Sequence, residues 1–216
     1  MTIRPRRGTV PPPTRDMDAS PFASILEGLI SRIPGAFAVA LVDAEGETVD
    51  YAGKSTPFDI KVAAAHYQIL MHSLAALEWM GKPSHLVVRA TTRSIVLRML
   101  PDGYSVVILV SRRGGFASSE RAFSACIYSL TIEAGWTPTE QLPPWFPITV
   151  SVDERRRPHH IVYGGLAEPV EVLGTVVGLA HGERGFRVRL ASGPEITIVR
   201  EPGNHWYAEE NVGESA

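Results

Sequence analysis

The spacing of apolar residues between Phe22 and Gly53 changes from helical to continuous and back to short strand. Phe22, Ile25, Leu26, Leu29, Ile30 and Ile33 recur at helical spacing and stop at Pro34-Gly35. The run Ala36 to Val42 carries no charge, which predicts a strand covered on both faces. Asp43-Ala44-Glu45-Gly46 turns it into a second strand, Glu47 to Ala52. Thr56-Pro57 opens a long helix from about Phe58 to Met80, closed by Gly81 and Pro83. Three strands follow, His85 to Ala90, Ser94 to Leu100 and Tyr104 to Ser111, the last two joined by Pro101-Asp102-Gly103. A final helix runs from Ser118 to Gly135, with Phe123, Ile127, Leu130 and Ala134 on one face. The order α-β-β-α-β-β-β-α predicts a three-layer α/β module over residues 20–137 with a five-stranded antiparallel sheet.

Beyond that module the texture changes. Residues 138–147 are proline-rich and read as a semi-rigid linker, with Trp145 and Phe146 expected to pack on a neighbouring domain. From Ile148 the apolar period becomes two, and glycine-containing turns separate short strands. Ile148 to Val152, His160 to Tyr163, Val170 to Val177, Phe186 to Leu190, Ile196 to Val199 and Trp206-Tyr207 are the candidates. Residues 148–210 therefore predict a small all-β barrel, SH3-like in pattern. The Arg- and Pro-rich residues 1–19 and the short stretch 211–216 are expected to be disordered.

Ile33-Pro34-Gly35-Ala36, Leu41-Val42-Asp43, Gly46 and Asp102-Gly103-Tyr104, in that element order, resemble the roadblock/dynein light chain family, and its bacterial MglB-like branch in particular. The resemblance covers about half of the chain and does not extend to the β-rich part. It implies a strand order second-first-fifth-fourth-third, which leaves the strand at His85 on an edge. It implies a homodimer with a sheet continuous across Leu86, Val87, Val88 and Arg89, and with the two long helices side by side. It also implies a small Ras-like GTPase as partner, stimulated without an inserted arginine.

Composition narrows the alternatives. A formal charge of −2 gives no general attraction to nucleic acid or anionic lipid. The lone Cys126 forms no internal disulfide and reads as a buried structural thiol in a reducing compartment. No run approaches a membrane span, and no apolar segment follows Arg4-Pro5-Arg6-Arg7 as a secretory signal requires, so a cytoplasmic protein is expected. Gly53-Lys54-Ser55 imitates the end of a phosphate-binding loop, but the required earlier glycine is replaced by Thr48. Adjacent His159 and His160, and His66 and His72 six apart, lie on different faces of their elements and share no metal; no cofactor is expected. No nucleophile motif is present, so an enzyme is not expected. Arg112-Arg113 and Arg155-Arg156-Arg157 read as solvated loops. The C-terminal part holds seven arginines, no lysine and ten acids, leaving Phe186, Arg187 and Arg189 as its one cluster suited to nucleic acid.

The long helix carries the functional expectation. Between Ile60 and Met80 its formal charges are Lys61 and Glu78 alone. Ala63, Tyr67, Leu70, Leu74 and Leu77 form a stripe expected to pack on the sheet. Ala64, Gln68, Met71, His72, Ala75 and Trp79 form a second, expected to face outward as the docking surface for the GTPase. The competing reading is a small-ligand sensor whose pocket lies between sheet and helix, with the β module as output domain.

Overall fold

The computed structural model describes residues 15–77, 79, 81–112, 119–136, 145–163 and 166–209. The chain divides into two compact units, residues 1–30 with 35–114 and residues 31–34 with 115–216. Of the tails expected to be disordered, residues 1–14 and 211–216, like Glu78, Met80, Arg113 and Ser118, lie outside the described residues, whereas residues 15–19 are placed against the first unit.

In the first unit, α1 (Pro21–Arg32) precedes β1 (Ala36–Val42) and β2 (Thr48–Gly53). Then come α2 (Pro57–Ala75), β3 (His85–Arg89), β4 (Arg93–Met99) and β5 (Ser105–Ser111). The strands form one antiparallel sheet in the order β2-β1-β5-β4-β3, the order that the resemblance implies. Ala38 to Val42 are fully buried, as the uncharged run predicts. The Asp43 side chain accepts from the Glu45 and Glu47 amides at 3.1 and 2.8 Å, which closes the β1–β2 turn. At the β4–β5 turn Asp102 and Gly103 both take positive φ, 55° and 80°, as a tight hairpin demands. Gly53 ends β2 at φ 104°, where an added Cβ would sit 2.7 Å from the Ala38 Cα. That close approach excludes any side chain.

Thr56 caps α2 by accepting from the Asp59 amide at 3.1 Å, and Lys54 donates its amide to the Phe37 carbonyl at 2.7 Å. The Gly53-Lys54-Ser55 stretch is thus a strand exit and helix cap. The helix stops at Ala75, short of the expected Met80, with the Ala76 amide on His72 O and Leu77 on Leu74 O. Nothing in the local sequence stops it there. Trp79 consequently lies beyond the helix.

The second unit holds α3 (Glu120–Ala134) and six strands: β6 (Trp145–Val152), β7 (Pro158–Tyr163), β8 (Leu166–Val176), β9 (Arg184–Leu190), β10 (Glu195–Glu201) and β11 (His205–Glu209). They close as an antiparallel barrel in the order β10-β11-β6-β7-β8-β9. Ile161, Phe186, Val188, Leu190, Ile196, Ile198, Trp206 and Ala208 fill it. Trp145 and Phe146, expected in the linker, begin β6 instead. The Arg121 guanidinium of α3 lies over the Trp145 ring at 4.8 Å, and Tyr128 of α3 meets Phe146 edge to face with centroids 4.8 Å apart. Arg121 also bridges Glu183 and the buried Glu201 at 2.9 and 3.0 Å. Cys126 is buried, which pushes its thiol up to about 12 and keeps it protonated and inert.

The segment Arg15 to Ser20 is fastened to β2. Asp50, fully buried, accepts from Arg15 Nη2, from the Ser20 hydroxyl, from the Ser20 amide at 3.1 Å and from the Tyr51 amide at 2.7 Å. Burial alone would raise its pKa. The hydrogen bonds from Ser20, Arg15 and the two amides outweigh burial and hold it below the usual carboxylate range. A depressed folded-state pKa adds stability above the unfolded value that is lost as pH falls through the folded one. Stability of the first unit should therefore decline with acidification below about pH 4. Asp50→Asn should cost about 2 kcal/mol at neutral pH and flatten that acid decline, read from amide exchange in β1 between pH 3 and 7.

Candidate functional site

The site begins with the seating of α2 on the sheet. Ile60, Ala64 and Met71 point into a core made with Ala38, Ala40, Val42, Tyr51, Leu97, Val107 and Leu109. Gln68 sits among them, buried, and every polar atom of its amide is used. Its Nε2 donates to the Asp43 carbonyl at 3.2 Å and to the Gly103 carbonyl at 2.9 Å, and its Oε1 accepts from Ser105 Oγ at 2.6 Å. One side chain thus ties the helix to both hairpin turns at one end of the sheet. Lys61 donates to Asp16 at 2.9 Å, and the Ala65 Cα lies beside Gly46, so this flank of α2 leans toward β1 and β2.

The opposite flank leans the other way. Ala63, Tyr67 and Leu74 are half-buried against the core, while Leu70 and Leu77 are exposed. α2 packs on β1, β5 and β2, leaving Leu86, Val88, Ile95 and Met99 of β3 and β4 half-buried on the same side of the sheet. β3 is an edge strand, hydrogen-bonded within the sheet to β4 alone. Bonds from Ala90 N to Arg93 O and from Met99 N to Ser84 O fix which pairs exchange hydrogen bonds, namely those at even positions of β3. The peptide groups of His85 and Val87 therefore point out from the open edge. Val87 is exposed on the face away from α2, and Arg89 is exposed at the strand end.

The outermost surface of α2 carries Phe58, Val62 and Ile69, within about 40° of one another at 100° per residue. Phe58 is 75% exposed and Ile69 62%. His66 and Ser73 flank them, and Asp59 is the sole formal charge among the helix's exposed residues. An outward apolar surface on α2 is thus present, but on other residues than expected. Of the docking candidates, Ala64, Gln68 and Met71 are buried, Met71 at 1% exposure, and form the seat of the helix. His72 and Ala75 are exposed, and Trp79 is 81% exposed beyond the helix end. The reversal has a physical cause. Two apolar stripes on one helix give no sense of which faces inward, and a fully satisfied buried glutamine reads as a solvent residue.

The other candidates are also placed. The space between sheet and α2, where a sensor would hold its ligand, is occupied by Ile60, Ala64, Met71, Leu97 and Leu109. Phe186 is buried in the barrel, and Arg187 and Arg189 pair with Glu195 at 2.8 and 2.7 Å, which cancels the basic cluster. Arg112 is exposed, and Arg155 to Arg157 lie in the β6–β7 turn. His159 and His160 are exposed neighbours on β7. Among the described residues no group of three His, Cys, Asp or Glu is arranged to hold a metal ion, and no helix is long and apolar enough to cross a membrane.

No family model matches the sequence, and no curated protein matches it. Solved structures are similar in fold over about half of the chain. A roadblock/LC7 domain from Streptomyces avermitilis is 15% identical, with a TM-score of 0.46 over 52% of this chain and 97% of that one. Myxococcus xanthus MglB is 18% identical, with a TM-score of 0.45 over 54% and 98%. The gliding protein MglB from Thermus thermophilus is 16% identical, with a TM-score of 0.45 over 57% and 97%.

The two faces of α2 separate by mutation. Met71→Glu should cost about 3 kcal/mol or more by burying a charge in the seat of the helix. Ile69→Glu should change stability by no more than about 0.5 kcal/mol. Chemical denaturation of both variants checks this, and a larger loss for Ile69→Glu than for Met71→Glu would mean the helix is seated the other way round.

Proposed function

We propose that this chain is a non-catalytic, dimeric regulator or scaffold of the roadblock type, and that its partner is a small Ras-like GTPase in the cytoplasm. The observation that supports it is the half-covered sheet. The apolar shelf of Leu86, Val88, Ile95 and Met99 lies between the flank of α2 and an open edge strand. A second copy related by a two-fold axis would pair β3 with β3, lay its helix beside α2 at Leu70, Leu74 and Leu77, and bury the shelf from both sides. The outer rows of the two helices, each with Phe58, Val62 and Ile69, would then form one charge-poor platform. His72, Ala75 and Trp79 extend it toward the helix end. Aromatic and large aliphatic side chains in such a setting suit a protein partner. No residue in this arrangement performs chemistry, so any effect on GTP hydrolysis comes from holding the partner's own groups in place.

Dimerisation is tested at Val87. Its amide points away from β4, so Val87→Pro leaves the β3–β4 ladder intact while blocking strand addition. Sedimentation at tens of micromolar should show a dimer for the native chain and a folded monomer for the variant; a native monomer would remove the edge-pairing arrangement. Docking is tested with Phe58→Glu combined with Ile69→Glu, which lie outside both the core and the shelf. Pull-down from native lysate should recover a small GTPase with a non-hydrolysable GTP analogue and lose it with the double variant. Undiminished recovery by the double variant would place the platform elsewhere.

A further inference from the structure

The sheet has two edges, and they are finished differently. At β3 the outward peptide groups of His85 and Val87 have no partner among the described residues. At β2 the outward groups are capped. The bond from Lys54 N to Phe37 O sets the ladder so that Asp50 and Ala52 bond inward to β1 and Tyr51 points out. The Tyr51 amide donates to Asp50 Oδ1 at 2.7 Å, and the Tyr51 carbonyl accepts from Arg15 Nη1. Both outward valences of that residue are therefore taken by charged side chains.

The chain that supplies Arg15 passes around the edge from one face of the sheet to the other. On the α2 side the Arg15 guanidinium stacks on the Tyr51 ring, 4.5 Å from its centroid, and Met17 packs against the core there. Tyr51 OH donates to Asp16 Oδ1 at 2.9 Å, and Lys61 of α2 donates to Asp16 Oδ2. Side chains alternate along a strand, so Asp50 lies on the opposite face, where Ser20 holds it through amide and hydroxyl. The segment thus wraps β2 and is tied down at both faces.

We infer that the Arg15–Ser20 segment is a strap that closes the β2 edge against strand addition, and that the surface it closes fits the β2 edge of a second copy of this chain. An outward N–H and C=O on one residue are self-complementary. Two antiparallel copies of Tyr51 facing each other across a two-fold axis would exchange both bonds, forming the closely bonded pair of an antiparallel ladder. Asp50 and Arg15 occupy those two positions, acceptor on the N–H and donor on the C=O. A strap on the same chain competes at high effective concentration, so the edge stays shut while the strap holds. The inference concerns β2 and does not depend on pairing at β3.

The test uses the full chain carrying Arg15→Ala, alone and with Ser20→Ala, each with and without Val87→Pro. Sedimentation against the matching strapped protein should show the mean mass roughly doubling in the Val87→Pro background as the β2 edge opens, and growing further without Val87→Pro, where both edges can pair. In the double variant, where Asp50 loses both the Arg15 guanidinium and the Ser20 hydroxyl, hydrogen exchange at the Tyr51 amide at low protein concentration should rise on the order of tenfold. The increase in mass should persist with Val87→Pro, because that change blocks only β3. Growth that disappears with Val87→Pro would mean the added contacts run through β3. A folded variant with a deprotected Tyr51 amide and unchanged mass would mean the opened edge has no affinity for itself. Either result overturns the inference. Should the double variant lose cooperative melting, Arg15→Ala alone frees the Tyr51 carbonyl while Ser20 still holds Asp50, and the mass with and without Val87→Pro is then the reading.

Discussion

Five strands at the usual spacing span about 19 Å between the outermost axes, and a helix with its side chains is about 10 Å wide. One helix cannot cover one face of such a sheet. That mismatch is the constraint from which the functional surfaces of the first unit follow. α2 sits to one side, over β2, β1 and β5, and Leu86, Val88, Ile95 and Met99 of β3 and β4 on that side are left half-covered. A sheet finished this way is complete as a fold but incomplete as a surface.

What decides the side is polar. Gln68 binds the backbone of both hairpin turns and the Ser105 hydroxyl, so the helix cannot slide toward β3 without breaking all three hydrogen bonds of a buried amide. Buried networks of this kind cost little when complete and much when broken, and so they fix position more sharply than apolar contacts. Lys61 with Asp16, and Arg15 with Asp50, add charge-assisted ties on the same side. The polar fasteners described for α2 hold it over β2, β1 and β5. The flank toward β3 is held by apolar contact alone, which a second molecule can match.

Much of this was legible in the residues. Turn chemistry located the hairpins at Asp43–Gly46 and Asp102-Gly103, because positive φ and side-chain capping restrict those positions to few residue types. The uncharged run of β1 announced a central strand, and alternation with glycine turns announced the barrel strands. The facing of α2 was not legible. Its two apolar stripes have similar hydrophobicity, and Gln68 looked solvent-exposed because its partners are backbone atoms about 25 and 35 residues away in sequence. The strap was also hidden. Arg15, Asp16 and Ser20 lie next to an Arg- and Pro-rich stretch whose composition suggests disorder, and their order comes from Asp50 and Tyr51 on a distant strand.

The Arg121 clamp bears on how the molecule can be dissected. Its guanidinium lies in α3, while the two carboxylates it joins, Glu183 and Glu201, come from the barrel, and Trp145 supplies the ring beneath it. A cut after Thr137 would keep the helix and discard all three of these partners, together with Phe146 against Tyr128. The excised half would carry a stranded cation and an uncovered tyrosine where the intact chain has a closed joint.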